Sequence, residues 1–215
     1  MLKIYGIYIG AVLDKVNEAK KSKIAEWVLT GKESSSCELA VLVVMAPEEY
    51  KQRAWKWLLG NGFKDTDNLR YIIGYAPRKY QELAAEYVFG TELESWYFCY
   101  ILVNLDGQWQ KRAWEEIQKR KKDDSDYIYL IEFADKYWAK RAWEYLKQGK
   151  PTKHKILEAL RFATDKDLKN EIADYLFSGD LDFVELELIA NYVKDKKRKE
   201  KAESLQNAIR KNKAG

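Results

Sequence analysis

Apolar residues recur along this chain in blocks of two kinds, and the two kinds alternate. The first places them at relative positions 1, 5, 8 and 9: Tyr50, Ala54, Trp57 and Leu58, then Tyr80, Ala84, Tyr87 and Val88, then Trp138, Ala142, Tyr145 and Leu146. This is the spacing of a helix, with Ala where two helices must approach closely. The second kind runs i, i+3, i+4, i+7: Leu39/Leu42/Val43/Ala46, Leu69/Ile72/Ile73/Ala76, Phe98/Ile101/Leu102/Leu105 and Tyr127/Leu130/Ile131/Ala134. Ile156/Ala159/Leu160/Ala163 and Leu186/Ile189/Ala190/Val193 follow the same rule. We refer to these as A helices and B helices. Residues 96–100 and 127–131 have strand-like composition, yet they fill the slot that 69–76 and 156–163 fill with helical spacing, so helix is expected throughout.

The blocks belong to a repeat. Arg-Ala-Trp occurs at residues 53–55, 112–114 and 141–143, each time three residues after an aromatic, Tyr50, Trp109 or Trp138. Tyr80 and Leu168 open two further copies, so the starts fall at 50, 80, 109, 138 and 168. The segment Ile24–Gly31 also matches Ile172–Gly179, and Met45–Tyr50 matches Tyr75–Tyr80. Units of 20–49, 50–79, 80–108, 109–137, 138–167 and 168–197 result, with an N-terminal half-unit at 1–19 and a basic C-terminal cap at 198–215. Boundary residues fit this division. Pro47 and Pro77 suit a first helical position and Asp106 and Asp135 an N-cap, while Gly31, Gly60, Gly90, Gly149 and Gly179 suit left-handed C-caps.

A helix pair of this kind cannot bury its own apolar arc, which covers more than half of each A helix. Burying one large apolar side chain contributes roughly 1.5–3 kcal/mol, so each stacked unit offsets the entropy of ordering the next. The expected fold is all-α: a right-handed α-solenoid of about six antiparallel helix pairs in a single domain spanning 1–215, closed by a polar cap helix. In unit length, helix pairing and apolar register, residues 4 to 210 resemble the HEAT-like and armadillo-like helical-repeat superfamily. The resemblance implies an interaction scaffold rather than an enzyme.

The two ends differ. In the cap, Ala202, Leu205, Ala208 and Ile209 are expected on one face with charges elsewhere. At the N-terminus, Ile4, Tyr5, Ile7, Tyr8, Ile9, Val12 and Leu13 are apolar almost all round. Either this segment is a B helix packed under the first pair, or its outer side is an open end, which leaves monomer and end-to-end self-association as alternatives.

Charge changes the picture mainly at the C-terminus. The formal net charge is +4, but nine basic against three acidic residues from Lys194 to Gly215 put +6 in the tail and leave −2 on the body. The body therefore lacks the positive field that concentrates nucleic acid. The apolar stretch Ile4–Leu13 is too short to span a bilayer and has no small-residue cleavage site after it. With two cysteines, Cys37 and Cys99, and neither export signal nor membrane segment, a cytoplasmic protein is expected.

No nucleotide-loop, metalloprotease or nucleophile-elbow pattern occurs. A single histidine, His154, excludes a zinc site needing two, and no metal or cofactor is expected. The B helices carry aromatic rows beside their core positions: Tyr71, Tyr100 and Tyr129, and one turn on Tyr75, Phe133, Phe162 and Tyr192. Such rows suit a protein or peptide partner held in a concave groove, or base stacking with single strands; the same rings also fill seams between successive B helices. Between the rows stand Gly74, Val103, Glu132, Arg161 and Asn191, a variable strip that suits a particular partner better than a phosphate backbone. The A helices carry a basic stripe of Lys23, Arg53, Arg112 and Arg141. It offers either a surface for nucleic acid, together with the tail, or stems laid over neighbouring rings and paired with carboxylates such as Glu86. The HEAT-like DNA glycosylases, which combine a catalytic Asp, cleft Trp residues and a basic concave surface, are the enzymatic alternative the resemblance implies.

Overall fold

The computed structural model of the protein describes residues 2–31, 34–61, 63, 66–120 and 123–214, with side chains from residue 8 to residue 211. Among the described residues every regular element is a helix. In order they are α1 (Leu2–Lys15), α2 (Glu18–Thr30), α3 (Ser36–Met45), α4 (Glu48–Gly60), α5 (Asp67–Tyr75), α6 (Arg78–Phe89) and α7 (Ser95–Asn104). There follow α8 (Gln108–Lys119), α9 (Asp124–Phe133), α10 (Lys136–Gln148), α11 (Lys153–Phe162), α12 (Lys166–Leu176), α13 (Phe183–Tyr192) and α14 (Lys196–Ala214). The protein is all-α. The strand-like segments are the interiors of α7 and α9, where Tyr97, Phe98, Cys99, Ile101 and Leu102, and Tyr127, Ile128, Leu130 and Ile131, are all buried. A bulky aromatic costs a few tenths of a kcal/mol in a helix, far less than its burial returns.

The chain forms two compact units, Met1–Glu116 and Ile117–Gly215. In the first, α1, α3, α5 and α7 pack each against the next, α3 and α5 pair with α4 and α6, and α2 lies on α4. In the second, α9, α11 and α13 pack in succession and pair with α10, α12 and α14. The Ala residues at the fifth position of four A helices (Ala54, Ala84, Ala113 and Ala142) are fully buried, as close helix approach requires; in the copy that opens at Leu168 the position is Ile172, also fully buried.

Ion pairs tie A helices to their successors, and the two in the first unit share one register. Arg53 Nη1 reaches Glu26 at 2.5 Å and Arg112 Nη1 reaches Glu86 at 2.8 Å. In the second unit Arg198 donates to both carboxylate oxygens of Asp174, at 2.9 and 2.5 Å. Partners sit 24 to 27 residues apart. In the first unit the cation is four residues into its copy and the carboxylate seven into the preceding one, whereas Arg198 stands at the start of the C-terminal cap.

Helix ends depart from the sequence reading in three ways. Pro47 and Pro77 stand at the N-cap, with ψ of 153° and 146°, one residue before the first helical position. Their extended ψ leads the chain out of the preceding B helix. Asp135 caps α10, accepting from the amides of Tyr137 and Trp138, whereas the Asp106 carboxylate accepts from Arg78 Nη2 at 2.6 Å. The glycine C-caps are not left-handed: Gly31, Gly90 and Gly149 have φ of −65°, −85° and −70°. At Gly90 and Gly149 the last turn tightens instead, with one amide shared between carbonyls three and four residues back. The left-handed residue is Lys150, φ 52°, after Gly149. At Gly31 the requirement is space, since a Cβ there would stand 3.0 Å from Ser34 Oγ and 3.2 Å from the Trp27 carbonyl oxygen.

The termini resolve two further expectations. α1 packs on α3 with Ile9 and Leu13 buried, while Tyr8 and Val12 are exposed; Ile4, Tyr5 and Ile7 lie outside the described side chains. α14 packs on α13 through only part of the anticipated face. Ala202 is buried and Ile209 half-buried, whereas Leu205 and Ala208 are exposed. Gln206 donates to the Phe183 carbonyl at 3.1 Å and the Arg210 guanidinium covers the Phe183 ring at 4.7 Å. Gln206 and Arg210 thus add polar contacts to the face that Ala202 begins, the Arg210 stem reaching over an apolar ring while its head meets water.

Candidate functional site: the faces of the odd-numbered helices

In the first unit the middle of the row is α5, flanked by α3 and α7. Leu69, Ile72 and Ile73 point inward and are fully buried, which turns Arg70, Tyr71, Gly74 and Tyr75 outward. Tyr71 is half-buried. Burial pushes its hydroxyl pKa above the ordinary value, and Cys37 and Tyr75 add to the shift. Its ring lies 5.3 Å from that of Tyr75, and Tyr75 is 72% exposed. Gly74 leaves a notch beside them, because a Cβ built there would meet only Asn104 Oδ1, at 4.0 Å. Asn104 is held in turn by donating to the Tyr100 carbonyl at 2.8 Å.

Arg70 fills the seam between α5 and α7. Its guanidinium carbon lies 4.7 Å from the Trp96 ring centre and 5.1 Å from that of Tyr100. Its Nε is buried with no hydrogen-bond partner, and Asp67 Oδ1 stands 3.9 Å from Nη1, beyond hydrogen-bonding range. Trp96 is fixed by donating Nε1–H to Glu94 at 2.6 Å. Tyr71, Tyr75 and Tyr100 thus surround one notch and one cation. Neither Arg70 nor Trp96 was singled out by the sequence pattern. The available signal is that Arg70 sits one turn before Gly74, and Trp96 one turn before Tyr100, on neighbouring B helices.

In the second unit Tyr129 and Phe133 stack on α9 with ring centres 4.8 Å apart, and Phe133 is 52% exposed. Phe162 is half-buried with the Arg161 guanidinium over its ring at 5.3 Å. Tyr192 is half-buried with Lys169 Nζ at 5.9 Å. The first aromatic row therefore lines seams, and the second reaches solvent most at Tyr75 and Phe133.

The basic stripe is occupied along most of its length. Arg53 is bound to Glu26 and lies against Tyr50. Arg112 is bound to Glu86 and stacks on Phe89 at 3.9 Å. Arg141 donates to the Tyr137 hydroxyl at 2.9 Å and covers Trp138 at 5.5 Å. Lys23 is exposed. An arginine already neutralised by a carboxylate offers a phosphate little net attraction.

Among the described residues no group of three or more His, Cys, Asp or Glu side chains is placed to hold a metal ion, and no helix is long and apolar enough to cross a membrane. A cavity of about 280 Å³ bordered by Ser35, Trp57 and Phe63 is lined by no ionisable side chain among them. Comparison of the chain with protein-family models, with curated proteins and with solved structures finds no match.

Proposed function

We propose that the protein is a non-catalytic helical-repeat scaffold, a right-handed α-solenoid of about six HEAT-like or armadillo-like helix pairs with a polar C-terminal cap. Its ligand is a protein or peptide segment held on the odd-numbered helices. Successive packing of those helices within each unit supports the architecture, as does the recurring Arg–carboxylate register. The observation that carries the function is the aromatic and notched surface of α5 and α7, where Tyr75 is left in solvent beside Gly74. Large rigid rings that lose little entropy on binding, next to a recess with no side chain, are what a docking peptide uses.

Nucleic-acid binding by the A-helix stripe and the basic tail is the competing reading, with base excision as its enzymatic form. The engaged state of Arg53 and Arg112 weighs against it. Panning random displayed dodecapeptides on the full chain, with Tyr75→Ser and Gly74→Trp as controls, tests the scaffold reading: selected peptides should lose binding to both variants. Retention on single-stranded and duplex DNA, with and without residues 194–215, tests its rival. Binding that survives removal of the tail and falls steeply with salt would favour nucleic acid, and release of base from alkylated DNA would establish the enzyme.

A further inference from the structure

The arginine in the seam between α5 and α7 is held without being used. The guanidinium sits in the corner formed by Trp96 and Tyr100, whose rings stand at 75° to each other, with its carbon 4.7 and 5.1 Å from their centres, so two aromatic walls restrict its rotation. Its five N–H groups make no hydrogen bond to any described residue, and the Asp67 carboxylate stops at 3.9 Å. The other arginines of the first unit's ion pairs differ: Arg53, Arg78 and Arg112 all donate to carboxylates at 2.5 to 2.8 Å. Side-chain entropy is the usual cost of engaging an arginine, and at Arg70 the stacking has already met it. A planar fork of unused donors, 38% exposed, is a preorganised carboxylate receptor.

We infer that Arg70 receives an Asp or Glu side chain of the docked peptide while an adjacent apolar residue of that peptide enters the Gly74 notch against Tyr71 and Tyr75. The inference rests on the peptide-scaffold reading above and specifies its partner. An internal acidic side chain fits better than a chain terminus, because α5 is flanked by α3 on one side and α7 on the other, so that an extended segment passes across the face. A polyanionic backbone fits poorly. The outward residues of α5 and α7 offer one cation, Arg70, with Asp67 beside it, and no row of lysines.

The test uses the full chain and the dodecapeptides selected on it, synthesised with amidated C-termini so that no terminal carboxylate remains. The selected peptides should share one Asp or Glu next to an apolar residue. Changing that acid to its amide should weaken binding about tenfold to a hundredfold, the range for a charge-assisted hydrogen bond. On Arg70→Gln the acid and amide peptides should bind alike, and Arg70→Lys should recover only part of the preference because a point charge replaces the fork. Circular dichroism melts establish that both variants fold, with Arg70→Lys carrying the test if Arg70→Gln does not. Peptides that need Tyr75 but show no acid preference, or that ignore Arg70, would overturn this inference and leave the scaffold reading intact. Failure to select any peptide, or peptides indifferent to Tyr75→Ser and Gly74→Trp, would overturn both. Displacement of the peptide by oligo-dT through Arg70 would overturn it in favour of single-stranded nucleic acid.

Discussion

Trp143 offers the sharpest test of how the second unit is held together. It is fully buried in α10, its Nε1–H donates to Glu171 at 3.1 Å, and the Tyr175 ring meets it edge-on at 5.4 Å. Lys147 lies over its ring at 5.5 Å and binds the same Glu171 oxygen at 3.1 Å. Trp143→Ala removes the ring from a packed interior and should cost about 3–5 kcal/mol. Trp143→Phe keeps an aromatic but takes one donor from a carboxylate, a loss of about 1.5–3 kcal/mol. For a chain of this length each kcal/mol moves Tm by roughly 2–4 °C, so the alanine variant should melt roughly 6–20 °C lower. Trp27, 69% exposed on α2, is the matched control, and Trp27→Ala should stay within about 0.5 kcal/mol of the parent. Urea unfolding followed by far-ultraviolet circular dichroism reads both without depending on tryptophan fluorescence. Equal effects at the two positions, or a Trp143→Ala cost below about 1 kcal/mol, would refute the packing described for α10 and α12.

Three other outcomes are expected. Asp165 caps α12, and the Leu168 amide, ahead of Lys136, holds its carboxyl below the ordinary range against the opposing effect of burial. Its contribution is therefore present above the ordinary carboxylate pKa of about 3.9 and lost as pH falls through the lowered value. Asp165→Ala should cost about 0.5–2 kcal/mol at neutral pH, and urea unfolding near pH 2 should show the difference gone. A double-mutant cycle on Asp174→Asn and Arg198→Gln should give a coupling of about 0.2–1 kcal/mol, since the pair is partly exposed and surface pairs contribute little; a value several-fold larger would mean the pair is buried. Gly74→Ala should raise stability by about 0.4–1 kcal/mol, read as a higher melting temperature, because the added methyl meets nothing closer than 4.0 Å and the unfolded chain loses freedom.

The helical elements were legible because their cores repeat: a buried small or aliphatic residue at the fifth A-helix position, Ala in four copies and Ile172 in another, and an i, i+3, i+4, i+7 line in the B helices leave little choice of period. Aromatic-rich α7 and α9 were readable only through that register, since Trp96–Tyr100 and Tyr127–Ile131 taken alone favour a strand. The ends were less legible. Proline chemistry permits both the N-cap and the first helical turn, and the backbone's exit from the B helix decides between them at Pro47 and Pro77. Glycine after an A helix signals a stop, but not whether φ turns positive, and at Gly149 the next residue takes that geometry. The contact face of α14 was misread in part because apolar spacing marks Leu205 and Ala208 along with Ala202 and Ile209, whereas Gln206 and Arg210 reach Phe183 in their place. The tyrosines of the candidate surface were visible as rows; Arg70 was not, because its significance comes from Trp96 and Tyr100 on a different helix.

The most direct test of α5 and α7 as the docking surface is a titration of the full chain, carrying ring-labelled tyrosine, with a selected dodecapeptide, followed by nuclear magnetic resonance. Signals of Tyr71, Tyr75 and Tyr100 should shift together and saturate at the same peptide concentration, while those of the buried Tyr80 and Tyr97 hold still. Saturating shifts confined to tyrosines outside α5 and α7, with Tyr75 unmoved, would contradict it.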